Sequence, residues 1–176
     1  KFHLVLLIHA HQPVGNFDAV FEQVYQQSYL PFVGQLERHP AVRIGLHYSG
    51  CLLEWLEGRH PEYMAKLRRL VARKQVEMVG GGYYEPILVC IPAPDQTEQL
   101  RRLSDYLARH FGSAPTGAWL AERVWEPQLP SVLASADLAY TLVDDVHFQA
   151  AGFELDQLHG ALVAEDGGHP VQVLPS

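Results

Sequence analysis

The sequence of 176 residues predicts an α/β fold built on a parallel sheet, and three observations lead to this prediction. Short apolar runs alternate with helical patterns along the chain. Polar side chains follow each of the first five apolar runs directly. No helical pattern is preceded by a glycine-rich phosphate-binding loop. Polar residues at the carboxyl ends of successive parallel strands are typical of the active face of a β/α barrel, so we expect a barrel rather than a doubly wound sheet.

The predicted strands are short apolar runs bounded by turn residues. In chain order they span residues 4–8, 42–48, 76–79, 116–121, 139–143, 161–164 and 171–174. The first run is apolar throughout, so we expect a strand that is buried on both faces. The third ends at glycines 80–82, which allow the backbone to pass close to a ligand or a neighbouring strand. A turn sequence at residues 166–168 joins the last two.

The predicted helices show apolar residues spaced three or four apart. They span residues 18–25 with a further turn to 39, then 52–56, 63–72, 96–111 and 128–136. Asp18 begins the first pattern, and we expect a break near Pro31 because proline disrupts a helix interior. Pro61 lies in the first turn of the helix over 63–72, where proline is tolerated.

The composition, with 48% hydrophobic and 19% charged residues, is that of an ordinary globular protein. The length of 176 residues is enough for a single domain with a sizeable core. The net charge of -7 argues against a nucleic-acid partner. The apolar run near the start is too short to cross a membrane, so we expect no membrane association. Cys51 and Cys90 form no disulfide framework, which favours a reducing compartment, here the cytoplasm.

Two histidines after the first predicted strand are candidate ligands. His9 and His11 are two residues apart, so their side chains point to the same face of a strand. They can bind a metal ion with a third ligand from Asp144, Asp145 or His147, or donate hydrogen bonds to sugar hydroxyls. A pair of structural histidines at a strand end is the alternative.

Two carboxylates in aromatic surroundings are the candidate catalytic groups. Glu85 follows two tyrosines, and Glu122 lies between Trp119 and Trp125. Tryptophan faces stack on sugar rings, and a pair of carboxylates can cleave a glycosidic bond. We expect Arg123 to keep Glu122 ionised, since a nearby cation favours the charged form. The alternative is a structural Glu–Arg pair at the end of a core strand.

Four motifs together resemble glycoside hydrolase family 57, most closely its 4-α-glucanotransferases and α-amylases. They are residues 9–13, 80–86, 119–127 and 144–148, in the order of the family. The resemblance implies a (β/α)7 barrel, a retaining mechanism and α-1,4-glucan or maltooligosaccharide substrates, without a cofactor or a metal. It implies that Glu122 is the catalytic nucleophile. The residues that it and the strand-end pattern assign to substrate binding are His9, His11, Gln12, Glu85, Trp119, Arg123, Trp125, Asp144, Asp145 and His147.

The resemblance also implies that catalysis needs residues outside this chain. The general acid/base of the family is an aspartate on a later strand, and Asp144 and Asp145 match a different motif. We therefore expect residues 1–176 to be the N-terminal part of one barrel domain, inactive by itself, with a sheet edge through which copies associate.

Two other functions fit parts of the sequence. A metal-dependent polysaccharide deacetylase or α-mannosidase-like hydrolase would use His9 and His11 with Asp144 and Asp145, but it leaves residues 119–127 without a role. A glucan-binding module would keep the aromatic cleft and lack turnover.

Overall fold

The computed structural model describes residues 4–176, which form seven strands and seven α-helices. The strands are β1 (Leu7–Ala10), β2 (Ile44–Tyr48), β3 (Val76–Gly81), β4 (Gly117–Trp119), β5 (Tyr140–Val143), β6 (Leu162–Asp166) and β7 (His169–Pro175). The helices are α1 (Asp18–Val24), α2 (Leu30–Arg38), α3 (Gly50–Arg59), α4 (Pro61–Ala72), α5 (Ala93–Phe111), α6 (Leu129–Ser135) and α7 (Asp145–Ala150). Each predicted strand overlaps an observed one, which confirms the α/β class. Helix α7 was not predicted.

All seven strands belong to one sheet in the order β1-β2-β3-β4-β5-β7-β6. The first five strands and β7 run parallel, and β6 pairs antiparallel with β7 in a hairpin. The carboxyl ends of β1 to β5 therefore lie along one edge of the sheet. In the register, His9 is the partner of His47, and Gly81 is the partner of Trp119. This register brings together side chains that are far apart in the sequence.

The first predicted strand is displaced and more exposed than expected. Leu4 and Val5 are 70% and 68% exposed, and they precede β1. The prediction of a strand buried on both faces is wrong because β1 lies at the edge of the described sheet and pairs only with β2 there. An edge strand has one neighbour fewer to cover it.

The helix predicted to break near Pro31 is continuous. A π-helical turn over Tyr25–Tyr29 links α1 to α2, and the Leu30 N–H donates to the carbonyl of Tyr25, five residues earlier. Pro31 has no N–H to donate, and its ring would crowd the carbonyl of residue 27 in a regular helix. The wider turn before Pro31 absorbs this misfit, so the predicted break is wrong.

Two large hydrophobic clusters and a small third one form the core. The first unites α1 to α4 with β2, β3 and part of α5, and the second packs β4 and β7 against α5 and α6. The third surrounds Phe148 of α7. Among residues 4–176, no helix has the length and apolar character that a membrane crossing requires. The two large clusters hold β1 to β4, and the third holds the end of β5 through Val143.

Candidate functional site

The carboxyl ends of β1 and β2 place two imidazoles in contact. The Nδ1 atoms of His9 and His47 lie 2.9 Å apart, as expected for register partners on adjacent parallel strands. The ring of His9 also stacks on Trp119 at the end of β4, with centroids 4.6 Å apart and planes inclined by 9°. Strands β1, β2 and β4 thus each contribute one ring to a single aromatic stack.

Glu85 extends this stack with a buried carboxylate. It follows β3, and its side chain is 6% exposed. Its Oε2 lies 2.9 Å from Nδ1 of His11 and 3.6 Å from Nε2 of His9, and its Oε1 lies 3.5 Å from Nδ1 of His47. One carboxylate therefore faces three imidazoles, which we call the Glu85 cluster: His9, His11, His47 and Glu85.

Burial lowers the pKa of two of these imidazoles. Desolvation lowers the pKa of His47 well below its usual range, and the nearby His9 and His11 lower it further. Desolvation also lowers the pKa of His9, although the charge of Glu85 opposes that shift. A buried imidazole loses the hydration that stabilises its charged form. The Nε2 atom of His47 has no hydrogen-bond partner among residues 4–176.

Glu122 lies in a short 3-10 turn over Ala121–Arg123. Its backbone is left-handed, with φ 52° and ψ 12°, and Arg123 has φ 50°. Residues other than glycine adopt this region rarely, and such strain is concentrated at functional sites. The Glu122 residue is exposed, and no ion pair engages its carboxylate within the described part of the chain.

Arg123 pairs with a partner that we did not predict. Its Nε lies 2.5 Å from Oδ1 of Asp144, at the end of β5, and its guanidinium carbon lies 5.7 Å from the centroid of the Trp119 ring. The expectation that Arg123 holds Glu122 is therefore wrong, because Asp144 takes the cation. The Nε atom lacks hydrogen-bond geometry in this contact, which is an ion pair only.

These residues enclose a cleft of about 370 Å³. Its lining consists of His9, His11, Glu85, Ile87, Trp119, Ala121, Glu122 and Arg123. The volume lies in the range of small-molecule sites, and the wall combines a flat aromatic face with carboxylates and imidazoles. Such a wall can stack on a sugar ring and hydrogen-bond its hydroxyls.

Five predicted binding residues lie outside the cleft lining, and one of them is Asp144, the partner of Arg123. Gln12 supports the loop after β1, because its Nε2 donates to the Tyr29 hydroxyl at 3.3 Å and its Oε1 accepts from Asn16 at 2.9 Å. Trp125 and His147 line a separate, mostly apolar pocket of about 210 Å³. Asp145 begins α7, where its N–H donates to the carbonyl of Ser176.

The metal-ligand set suggested by the sequence is consequently not assembled. Asp144 contacts Arg123, and His147 faces the apolar pocket, so neither joins His9 and His11. A different set, comprising His9, His47 and Glu85, has donor atoms within 4.8 Å of one another.

His47 is the site residue that the sequence prediction did not include among the binding residues. It ends the second predicted strand, so its place in the strand-end pattern was the available signal. Ile87 and Ala121 also line the cleft, and nothing in their residue type marks them as binding residues.

Sequence and structure comparisons relate this chain to the same family of proteins. The sequence model of glycosyl hydrolase family 57 matches residues 5–175. Alpha-amylase 1 of Dictyoglomus thermophilum is 47% identical over 175 residues, which cover 99% of this chain and 26% of that protein. The crystal structure of 4-alpha-glucanotransferase from Thermococcus litoralis superposes with a TM-score of 0.94 at 45% identity, over 97% of this chain and 27% of that one.

A more distant likeness in fold extends to a structure of low sequence identity. The crystal structure of a putative polysaccharide deacetylase from Mycobacterium smegmatis has a TM-score of 0.63 at 18% identity, covering 98% of this chain and 57% of that one. At this identity the likeness shows the fold alone.

The chain spans about a quarter of the length of the relatives that it matches closely in sequence.

Proposed function

The chain belongs to glycosyl hydrolase family 57, and we propose that the whole protein is a retaining α-glucan-active enzyme that cleaves and transfers α-1,4-linked chains. The observation that carries this proposal is the position of Glu122. It lies in a left-handed turn on the wall of the cleft that Trp119 also lines, and no ion pair engages its carboxylate within residues 4–176. A carboxylate held in this way is available for nucleophilic attack.

The proposed reaction is a double displacement at the anomeric carbon. Glu122 forms a bond to that carbon as the glycosidic C–O bond breaks, giving a covalent glycosyl-enzyme. Water or a hydroxyl group of a second glucan then attacks the same carbon and releases the glutamate. Two inversions retain the configuration of the starting linkage.

The other cleft residues bind and orient the sugar in this proposal. Trp119 provides a ring face on which the sugar can stack, and the His9 ring, stacked on Trp119, holds the indole in its orientation. The Glu85 carboxylate and the His11 imidazole, 2.9 Å apart, provide an acceptor and a donor for sugar hydroxyls. Asp144 supports the cleft indirectly by holding Arg123.

The proton for the leaving oxygen needs a second carboxyl group. Within the described residues the cleft holds only one other carboxylate, Glu85, and three imidazoles surround it. We therefore assign the acid/base role to the later aspartate that the family resemblance implies.

Cys51 and Cys90 are free thiols, which supports a reducing compartment such as the cytoplasm.

Glu122→Gln in the whole protein tests this proposal. The amide keeps the shape of the side chain but is a far weaker nucleophile, so we expect turnover of maltoheptaose to fall by at least about a thousandfold while glucan binding persists. Glu126→Gln is the matched control, because Glu126 is exposed and lies outside the cleft lining. Product lengths and isothermal titration with maltoheptaose are the measurements.

The product pattern separates the possible activities. Longer and shorter chains together indicate transfer, and shorter chains alone indicate hydrolysis. Turnover by Glu122→Gln equal to that of the unmodified protein would refute the assignment of the nucleophile. Binding without turnover in the unmodified protein would favour a glucan-binding module.

A further inference from the structure

We infer that His9, His47 and Glu85 bind a divalent transition-metal ion such as Zn²⁺, and that this ion competes with glucan for the cleft. The competition rests on the proposed function, whereas metal binding itself does not. The three donor groups lie within 4.8 Å of one another, and His9 and Glu85 also line the cleft.

The spacing of the donor atoms is close to that of a tetrahedral zinc site. Zinc bonds of about 2.0–2.1 Å place neighbouring ligand atoms about 3.3–3.4 Å apart. Oε1 of Glu85 lies 3.5 Å from Nδ1 of His47, and the two Nδ1 atoms lie 2.9 Å apart. The two Nδ1 atoms are closer than two zinc ligands can be, so the ring of His9 must shift to admit the ion.

The polar atoms of this cluster lack good partners in the protein alone. Two Nδ1 atoms that face each other share one proton, and Oε1 of Glu85 has no hydrogen bond among residues 4–176. A buried carboxylate needs a cation or hydrogen-bond donors to offset its loss of hydration. A metal ion would replace the shared proton and satisfy both imidazoles and the carboxylate.

The donor types select a particular class of ion. Two imidazoles with one carboxylate suit Zn²⁺, Co²⁺, Ni²⁺ or Cu²⁺, whereas Ca²⁺ and Mg²⁺ prefer oxygen ligands. A water molecule from the cleft, which His9 and Glu85 line, can supply the fourth ligand.

Neighbouring residues hold the three donors in place. His11 contacts Oε2 of Glu85 at 2.9 Å and leaves Oε1 available. Trp119 stacks on His9, and Gly81 leaves room for the ring of His47, whose Nε2 lies 2.8 Å from the position of an added Cβ. Contacts of this kind orient metal ligands and strengthen binding.

Binding of the ion would take Glu85 away from the sugar hydroxyls that we propose it binds, and it would shift the His9 ring that stacks on Trp119. Zn²⁺ should therefore inhibit glucan turnover, and chelation by EDTA should restore it rather than abolish it. This behaviour distinguishes an inhibitory site from a catalytic metal.

Cobalt titration of the whole protein tests metal binding without any substrate. After treatment with EDTA and dialysis, Co²⁺ should produce the intense visible absorption of a tetrahedral site, and Zn²⁺ should displace it. Glu85→Gln and His9→Ala should each weaken Co²⁺ binding by at least about tenfold. His169→Ala should leave it unchanged, because His169 is exposed at the amino end of β7, the opposite end of the sheet.

The His9 variant keeps the test valid if Glu85→Gln fails to fold, since the His9 side chain is 29% exposed and tolerates truncation better. No cobalt absorption in the unmodified protein, or equal affinity in the folded variants, would overturn the metal site. Zinc titration of Glu122→Gln with and without saturating maltoheptaose then tests competition. We expect the sugar to weaken zinc binding, and equal affinity in both conditions would overturn the competition.

Discussion

Backbone strain at single residues shapes the cleft. Glu85, Glu122 and Arg123 all have φ between 50° and 54°, a left-handed conformation that glycine adopts more readily. Each costs about 1–2 kcal/mol in free energy relative to the right-handed region. All three line the cleft, whereas Lys74 and Asp137, the other non-glycine residues with positive φ among residues 4–176, lie outside it. The packed strands on either side are what hold these turns in place.

Close packing at Gly81 gives a prediction at this scale. A Cβ on Gly81 would lie 2.7 Å from the carbonyl oxygen of Trp119 and 2.8 Å from Nε2 of His47. Gly81→Ala should therefore lower the free energy of unfolding by about 1–3 kcal/mol and reduce glucan turnover, because His47 and Trp119 must move. Denaturant unfolding and maltoheptaose turnover, measured together, check both effects.

Gly58→Ala provides the matched control. Gly58 lies in α3, and an added Cβ would meet nothing within 4 Å. Alanine favours a helix over glycine by about 1 kcal/mol, so this variant should be equal in stability or slightly more stable. A Gly81→Ala protein as stable and active as Gly58→Ala would contradict the tight packing around His47.

At the scale of elements, the strand ends were predictable and their pairing was not. The apolar runs placed His9, Glu85 and Glu122 after strands, and parallel topology placed those ends at one edge. The contact between His9 and His47 depends on the register of the two strands. The hydrophobic pattern shows only whether a side chain faces the core or the solvent, and not which residue of the neighbouring strand lies beside it. The position of His47 at a strand end could therefore be predicted from the sequence, but its contact with Glu85 could not.

Local turns account for the remaining differences between prediction and structure. The left-handed Glu122 and Arg123 turn the guanidinium toward Asp144, so sequence neighbours are not partners here. The π-helical turn before Pro31 likewise depends on tertiary packing, because Tyr25 and Tyr29 within it are buried. Trp125 and His147 were predicted as binding residues from their motif, but local geometry directs them to the apolar pocket.

The link between the ends of β4 and β5 gives a second prediction. Asp144 is the partner of Arg123, and their side chains are 29% and 42% exposed. Asp144→Asn should release Arg123 from Trp119 and lower kcat/KM for maltoheptaose by about fivefold, since a partly exposed ion pair contributes about 1 kcal/mol. Steady-state kinetics at low salt measure this effect.

The neighbouring aspartate makes the comparison specific. Asp145→Asn changes the same charge one residue later, in α7, outside the cleft lining. We expect this variant to keep kcat/KM within about twofold of the unmodified protein, a change of about 0.4 kcal/mol. Equal losses in both variants would show that net charge, rather than the Arg123 contact, explains the effect.

At the scale of the whole molecule, the sheet has two edges. Within residues 4–176, β1 pairs only with β2, and β6 pairs only with β7. Both edges carry apolar side chains in water, with Ile8 on β1 37% exposed and Val163 on β6 68% exposed. An edge strand offers unpaired N–H and C=O groups to another chain, which favours association.

We predict that the 176-residue chain associates through β6 when produced by itself. Val163→Lys should shift it toward the monomer, because a lysine on an edge strand opposes pairing with a second copy. Light scattering coupled to gel filtration, over a range of concentrations, measures the change. Val146→Lys is the matched control, since Val146 is 63% exposed but lies on α7 rather than on a sheet edge. A monomeric unmodified chain would refute the predicted association. Equal effects of the two lysines would show that β6 does not mediate it, and Ile8→Lys on β1 would then test the other edge.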